Sequence, residues 1–217
     1  MIEIKFPDNS LRSFKTGTTV LEVAQSISEG LARNILSAKF NDHIVETVTP
    51  LLNNGNIQLF TWDNKQGKTA FWHSSAHVLA QAILALYPEA KLTIGPAIEK
   101  GFYYDVDFGD HSITEKELKD LEKKFLEFAR QKFEFKMRDV SKKDALDFYK
   151  KDKNPYKVEL IENLEDGSIT FCDHADFTDL CRGGHIPNTG FIKAVKLLNI
   201  AGAYWRGDEK NKILIKL

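Results

Sequence analysis

The 217 residues suffice for one large domain or two smaller ones, each able to bury a core. A hydrophobic fraction of 42% and a charged fraction of 28% are those of a soluble globular protein, and no apolar run approaches the ~20 residues that span a bilayer. A net charge of −1 argues against a sequence-independent duplex binder, which needs many cationic phosphate contacts, but leaves room for a local basic pocket for one RNA end. Two cysteines, Cys172 and Cys181, are too few for a disulfide framework. The start "MIEIKFPDNS" lacks the basic and apolar segments of a signal peptide, so a reducing cytoplasm is the expected compartment.

Residues 1–62 read as a small unit. "IEIKF" alternates, "PDNS" turns, and "LRSF" can pair back as a hairpin. Thr19 and Glu22 form a capping-box pattern at the head of a helix, with Gly30 as its expected stop. "ILSAKFN", "HIVET" and "IQLF" follow as strands, giving a sheet with one helix across it. "DNKQGK" (63–68) is a polar linker candidate. "TAFWHSSAHVLAQAILALYP" then predicts a helix, apolar around most of its circumference and so largely buried. "LTIGPAIEKGFYYDVDF" predicts strands about a Gly-Pro turn. The clearest helix starts after Thr114, with Glu117 completing a capping box and Ile113 and Leu118 a hydrophobic staple. Its stripe of Leu118, Leu121, Phe125 and Phe128 faces the core. A short helix from Ser141 precedes segments read as strands: "YKVELIENL", "SITFCDH", "FIKAVKLLNIAGAYW" and "KILIKL".

His73 and His77, four apart on a helix, project from one face and can converge on one small object. No Glu follows the first His, so this is not a His-Glu-x-x-His metalloprotease helix. Cys181 and His185 are also four apart, in the glycine-rich "FTDLCRGGH". Together the pairs supply three imidazoles and a thiol, a set suited to tetrahedral zinc. The residues alone leave three readings open: a metal site, a thiol nucleophile with its base, or a turn with a buried Cys. The glycines of "RGGH" match no nucleotide loop and suggest close backbone approach to a ligand. Cys172 reads as inert core, and His43, His111 and His174 as surface or turn residues.

"HSSAH", "IGPAIEKGFYYD", "YKVELI", "DLCRGGH" and "AGAYWRGD", in this order, resemble the amino-terminal region of the bacterial threonyl-tRNA synthetase family over nearly the whole chain. The resemblance implies an α+β architecture: a ubiquitin-like β-grasp (TGS) domain over 1–62, then a larger α+β editing domain over 63–217 with antiparallel sheet and packed helices. The implied activity is hydrolysis of seryl-tRNA(Thr), with the aminoacylation core lying outside this chain, as in an excised fragment. It puts His73, His77, Lys157, Asp179, Cys181 and His185 around the ester, with Tyr104, Arg206 and Gly183 as second-rank substrate contacts. No metal is expected to be required. The alanyl-type relatives associate their His/His/Cys/His set with zinc, so zinc on His73, His77, Cys181 and His185 is the rival chemistry. The implied partners are the acceptor end of tRNA(Thr) carrying serine and the catalytic and anticodon-binding domains of a synthetase, with no membrane. A tRNA-binding or regulatory module with a purely structural His/Cys cluster is the alternative from another functional class.

Overall fold

The computed structural model describes residues 1–217. Strand β1 (Ile2–Lys5) buries Ile2 and Ile4 on one face, as its alternation requires, and pairs antiparallel with β2 (Leu11–Phe14). Helix α1 (Val20–Ile27) starts at the expected box, Thr19 and Glu22 each satisfying the other's backbone N–H. It stops at Ser28 instead of Gly30. Ser28 is extended, and its hydroxyl accepts the Leu31 N–H to open α2 (Glu29–Asn34), which contains Gly30. Two consecutive helices therefore cross the sheet where one was expected. Strands β3 (Ser37–Phe40), β4 (His43–Val45) and β5 (Gly55–Phe60) complete the order β2-β1-β5-β3-β4, in which only β1 and β5 are parallel. Ile4, Val20, Val23, Ile35, Leu51 and Ile57 seal the core of this β-grasp sheet.

Asp63–Lys68, expected as a linker, is mostly helix. Asn64 accepts the Thr61 N–H at 2.8 Å and opens α3 (Lys65–Leu86), four residues ahead of the expected start. Gly67 faces the Thr61 carbonyl so closely that a Cβ would stand 2.0 Å from its oxygen. The absence of a side chain there is what lets β5 run into α3 through one closed turn. Helix α3 is buried along most of its length, as its all-round apolar pattern predicts.

Short strands β6 (Lys91–Leu92), β7 (Ala97–Ile98), β8 (Gly101–Phe102) and β9 (Asp105–Asp107) follow. Next comes α4 (Glu115–Arg130), capped by Thr114 and packed on α3 through Leu118, Leu121 and Phe125. Then come β10 (Lys136–Asp139), α5 (Lys142–Lys151) capped by Ser141, α6 (Pro155–Glu162), β11 (Thr170–His174), β12 (Phe177–Leu180), β13 (Ala201–Tyr204) and β14 (Ile213–Lys216). Two antiparallel sheets result, β10-β11-β12 and β13-β14-β9-β6, beside a β7-β8 hairpin. No helix is long and apolar enough to cross a membrane.

Two strand expectations fail. "YKVELIENL" forms α6, because Pro155 supplies a ready first-turn φ and Asn154 accepts the Lys157 N–H at 3.1 Å. Of "FIKAVKLLNIAGAYW", only Ala201–Tyr204 is strand. Upstream, Phe191 ends a 3-10 turn, and the Leu197 N–H goes to Glu122 Oε1 at 2.8 Å rather than to a neighbouring strand. His174 also departs from expectation: it lies buried in β11 between Phe135 and Phe177, with neither ring nitrogen hydrogen-bonded. His43 is exposed, and His111 pairs with Glu117 at 2.7 Å.

Candidate active site

His73 and His77 stand on one face of α3, and the segment after β12 brings Cys181 and His185 onto them. The join is a backbone one. The Ile186 N–H donates to Ser74 Oγ at 3.0 Å, while Ser74 donates to the Ala70 carbonyl, so the loop is pinned to the helix between the two histidines. Cys181 Sγ then lies 3.0 Å from His73 Nε2, 3.3 Å from His77 Nε2 and 3.2 Å from His185 Nε2. The Gly183 N–H approaches the same sulfur at 3.3 Å. Gly183 and Gly184 take φ of +89° and +88°, which only glycine adopts without strain.

Behind this cluster sits Asp179, 3% exposed, on β12. Its Oδ1 receives Lys157 Nζ at 2.5 Å, the Tyr149 hydroxyl at 3.2 Å and the Leu180 N–H at 2.8 Å. Its Oδ2 receives only the Tyr104 hydroxyl, at 2.8 Å. His77 Nδ1 is 3.7 Å from that oxygen, beyond hydrogen-bond reach. Lys157 is as buried as its partner, because α6 is fixed to β6 by Asn154, whose amide donates to the Leu92 carbonyl at 2.9 Å. Burial, then the Asp179 charge, pushes both the Tyr104 and Tyr149 phenols well up, so both act as donors.

His73, His77, Tyr104, Lys157, Asp179 and Cys181 line one cleft of about 530 Å³. His185 is fully buried behind Cys181 and does not line it. Arg206 is not brought there either: it ion-pairs with Glu159 at 3.0 Å and lies over the Trp205 ring. Gly183 borders a second cleft on the far side of His73, lined also by Lys65, Arg182 and Ile44.

The charges are strongly coupled. The neighbouring Cys172 thiol, with the facing His77, His185 and His73, holds the Cys181 thiol well below its ordinary range, against its burial. Cys172 is driven the other way by its proximity to Cys181 and by burial, and it stays a thiol. Burial opposes charge on His185, but hydrogen bonds to Cys181 and Glu46 outweigh it and raise the imidazole to about 9. Burial lowers His77, with Cys181 working against it. His174 falls to about 3, through burial and then the neighbouring His77 and His185.

The four donor atoms lie within 4.8 Å of one another. A tetrahedral zinc with ordinary bond lengths needs donor–donor edges of roughly 3.3–3.6 Å, so these residues fit such a cation. Four protein ligands leave no open position, which is the arrangement of a structural zinc rather than a water-activating one. Without a cation, the same distances describe a sulfur hydrogen-bonded from several sides.

Three contributors lie outside the sequence-predicted set. Tyr149 bridges Asp179 and the Leu180 N–H, Ser74 anchors the loop, and Glu46, from the turn after β4, reaches His185 Nδ1 at 3.1 Å. None belongs to a spacing motif. Only the small serines of "HSSAH", on a helix face otherwise apolar, hinted that something packs closely there.

Two family models match the chain: TGS domain over residues 2–61, and Threonyl and Alanyl tRNA synthetase second additional domain over residues 169–216. The whole chain is 62% identical to the threonine--tRNA ligase of Flavobacterium johnsoniae, 54% to that of Cytophaga hutchinsonii and 46% to that of Desulforamulus reducens. It spans about a third of the length of these curated relatives: 33%, 34% and 34%. With the β-grasp sheet first and the α+β unit after it, the chain carries a TGS domain over 2–61 and, within the α+β unit, the second additional, or editing, domain over 169–216, in the order of the N-terminal region of threonine--tRNA ligases.

Proposed function

We infer that this chain hydrolyses the ester joining serine to the terminal adenosine of tRNA(Thr), as the proofreading region of a threonine--tRNA ligase. Residues 1–62 are assigned to the TGS domain and 63–217 to the editing domain. The partners are the acceptor end of seryl-tRNA(Thr) and the rest of such a ligase, in the cytoplasm. The observation that carries the reading is one cleft presenting a buried carboxylate with a free lone pair beside an ammonium and imidazoles. Asp179 Oδ2 is the less occupied oxygen and takes the serine ammonium. Lys157, held by Oδ1, turns its remaining N–H groups to the serine hydroxyl and to the carbonyl oxygen as charge develops there. His73, the most exposed imidazole of the cluster, takes the ribose hydroxyl. Cys181, backed by His185, holds the water.

Water adds to the carbonyl carbon and the bond to the ribose oxygen breaks. One water proton ends on that oxygen and the other passes to solvent as serine leaves as its carboxylate. The need for such a step is energetic. One methyl group distinguishes threonine from serine and is worth about 1–3 kcal/mol in a pocket, too little for a synthetic site, whereas a smaller second site can exclude it.

The reading requires no metal. Zinc on His73, His77, Cys181 and His185 is the second reading, favoured by the clustering of these three imidazoles and a thiol within 4.8 Å and by the Glu46 carboxylate behind His185. Bound there, zinc would supply charge to fix the loop to α3. Attack by Cys181 itself is disfavoured, because it would pull the sulfur away from three imidazoles and an amide, whereas a water can be held on the side of Cys181 that lines the cleft.

The test is single-turnover loss of serine and of threonine from tRNA(Thr), with this chain and with a full-length ligase carrying it, before and after chelation and metal analysis. We expect serine to be released at least about 10-fold faster than threonine, undiminished in metal-free protein and retained by Cys181→Ser. Binding of tRNA without accelerated serine loss in either protein would leave the binding-module reading in its place.

A further inference from the structure

We propose that Glu46, contributed by the β-grasp unit, is a positioning residue of the hydrolytic site, fixing the proton on His185 Nδ1 so that Nε2 is turned to Cys181. The proposal rests on the hydrolytic reading above for its kinetic consequence, but not for its structural one.

Glu46 follows β4, at the start of a turn closed by the Thr49 N–H on the Glu46 carbonyl. Its side chain is 15% exposed and leaves its own sheet to enter the other unit. One oxygen, Oε1, makes both contacts: it accepts the Gly184 N–H at 2.9 Å and meets His185 Nδ1 at 3.1 Å. The loop is shaped for this approach, since a Cβ on Gly183 would stand 3.2 Å from the same oxygen. Stacking on Phe135, with ring centroids 5.0 Å apart and planes 10° from parallel, confines the His185 ring. The other group near Nδ1 is Cys172 Sγ, at 3.9 Å.

An ionised carboxylate only accepts, so Nδ1 keeps its proton whether the ring is neutral or charged. Nε2 is then the atom presented to Cys181, at 3.2 Å. A carboxylate behind a metal-ligating histidine sets its tautomer and orientation, and losing it typically costs about 10- to 100-fold; the same orienting role is open to a carboxylate behind an imidazole turned to Cys181. A contact that merely glued the two units together would not select one ring nitrogen.

The experiment compares the chain with Glu46→Ala and Glu46→Gln. Gln keeps the acceptor oxygen that both contacts use. Two-bond nitrogen–proton NMR correlations of the His185 ring report the tautomer, and single-turnover deacylation reports the rate and the half-saturating enzyme concentration. With spectra taken at pH ~10, above the imidazole's value of about 9 so that the ring is neutral, we expect the proton on Nδ1 in the parent and in E46Q, and on Nε2 in E46A. E46A should lose about 10- to 100-fold in rate at near-unchanged half-saturation, and E46Q should recover most of it. Retention of the Nδ1 proton in E46A overturns the proposal whatever the rate, as does an E46Q as impaired as E46A. If the parent deacylates nothing, the hydrolytic reading fails by itself, and the ring spectrum still decides the role of Glu46.

Discussion

Four donors meet on the Asp179 carboxylate, and three of them are side chains from separate elements: Lys157 on α6, Tyr149 on α5 and Tyr104 before β9. Removing one member of a buried ion pair leaves the other charge uncompensated, which costs about 3–5 kcal/mol, whereas replacing both by apolar groups is often neutral. Lys157→Met should therefore lower the urea-denaturation free energy by about 3–5 kcal/mol. Adding Asp179→Leu should restore only part of that stability, because the Tyr104 and Tyr149 hydroxyls lose their acceptor as well, while serine hydrolysis stays absent. A double variant that regained hydrolysis along with stability would remove the pair from the chemistry. His73, His77, Cys181 and His185 were legible in the sequence as two pairs at fixed spacing. Their meeting was legible only through the family resemblance and not from spacing, because it depends on the Ser74–Ile186 hydrogen bond across 112 positions. Glu46 and Tyr149 were invisible for the same reason: each is an ordinary residue until the fold carries it to His185 or Asp179.

Among the elements, those marked by local chemistry were legible and those decided by distant partners were not. The capping box of α4 was read directly, and here Glu117 also receives the Tyr87 hydroxyl and faces His111. Hydrogen bonds from the Thr114 hydroxyl and backbone hold the Glu117 carboxyl down to about 2, against an ordinary value of 4.5. A folded-state value below the unfolded one means that the stabilisation is complete above pH 4.5 and drains away as pH falls toward 2. Melting temperatures from pH 6 down to pH ~2.5 should thus show the parent losing its advantage over Glu117→Gln across that window. A constant gap would exclude the cap as its origin. At pH 7, Thr114→Ala should cost about 1 kcal/mol. Helix α6 shows the opposite case. Its Asn154-Pro155 start was present in the sequence, but the alternating "YKVEL" concealed it, and with it the burial of Lys157.

Across the whole molecule, the β-grasp unit meets the α+β unit at the closed turn from β5 into α3, at Leu36, whose side chain is buried in the second unit's core, and at Glu46, which touches the "RGGH" loop. The sequence marked the turn only as a polar linker candidate and gave no sign of the Glu46 contact, since nothing local ties residue 46 to residue 185. The glycines allow the Glu46 contact to be tested separately from simple backbone strain. Gly183 and Gly109 both take left-handed φ, +89° and +67°, so an alanine at either costs about 1–2 kcal/mol through the backbone. Around Gly109 a Cβ meets nothing within 4 Å, whereas at Gly183 it stands 3.2 Å from Glu46 Oε1. Gly109→Ala should therefore lower stability and leave the hydrolysis rate alone. Gly183→Ala should lower stability comparably, and also push the carboxylate off His185 and reduce the hydrolysis rate. In Gly183→Ala/Glu46→Ala the rate should match that of Glu46→Ala alone, because the obstructed contact is already gone. Strictly additive losses in the double variant would mean that the glycine acts on the cleft directly, and that the two units communicate by some other route than this turn.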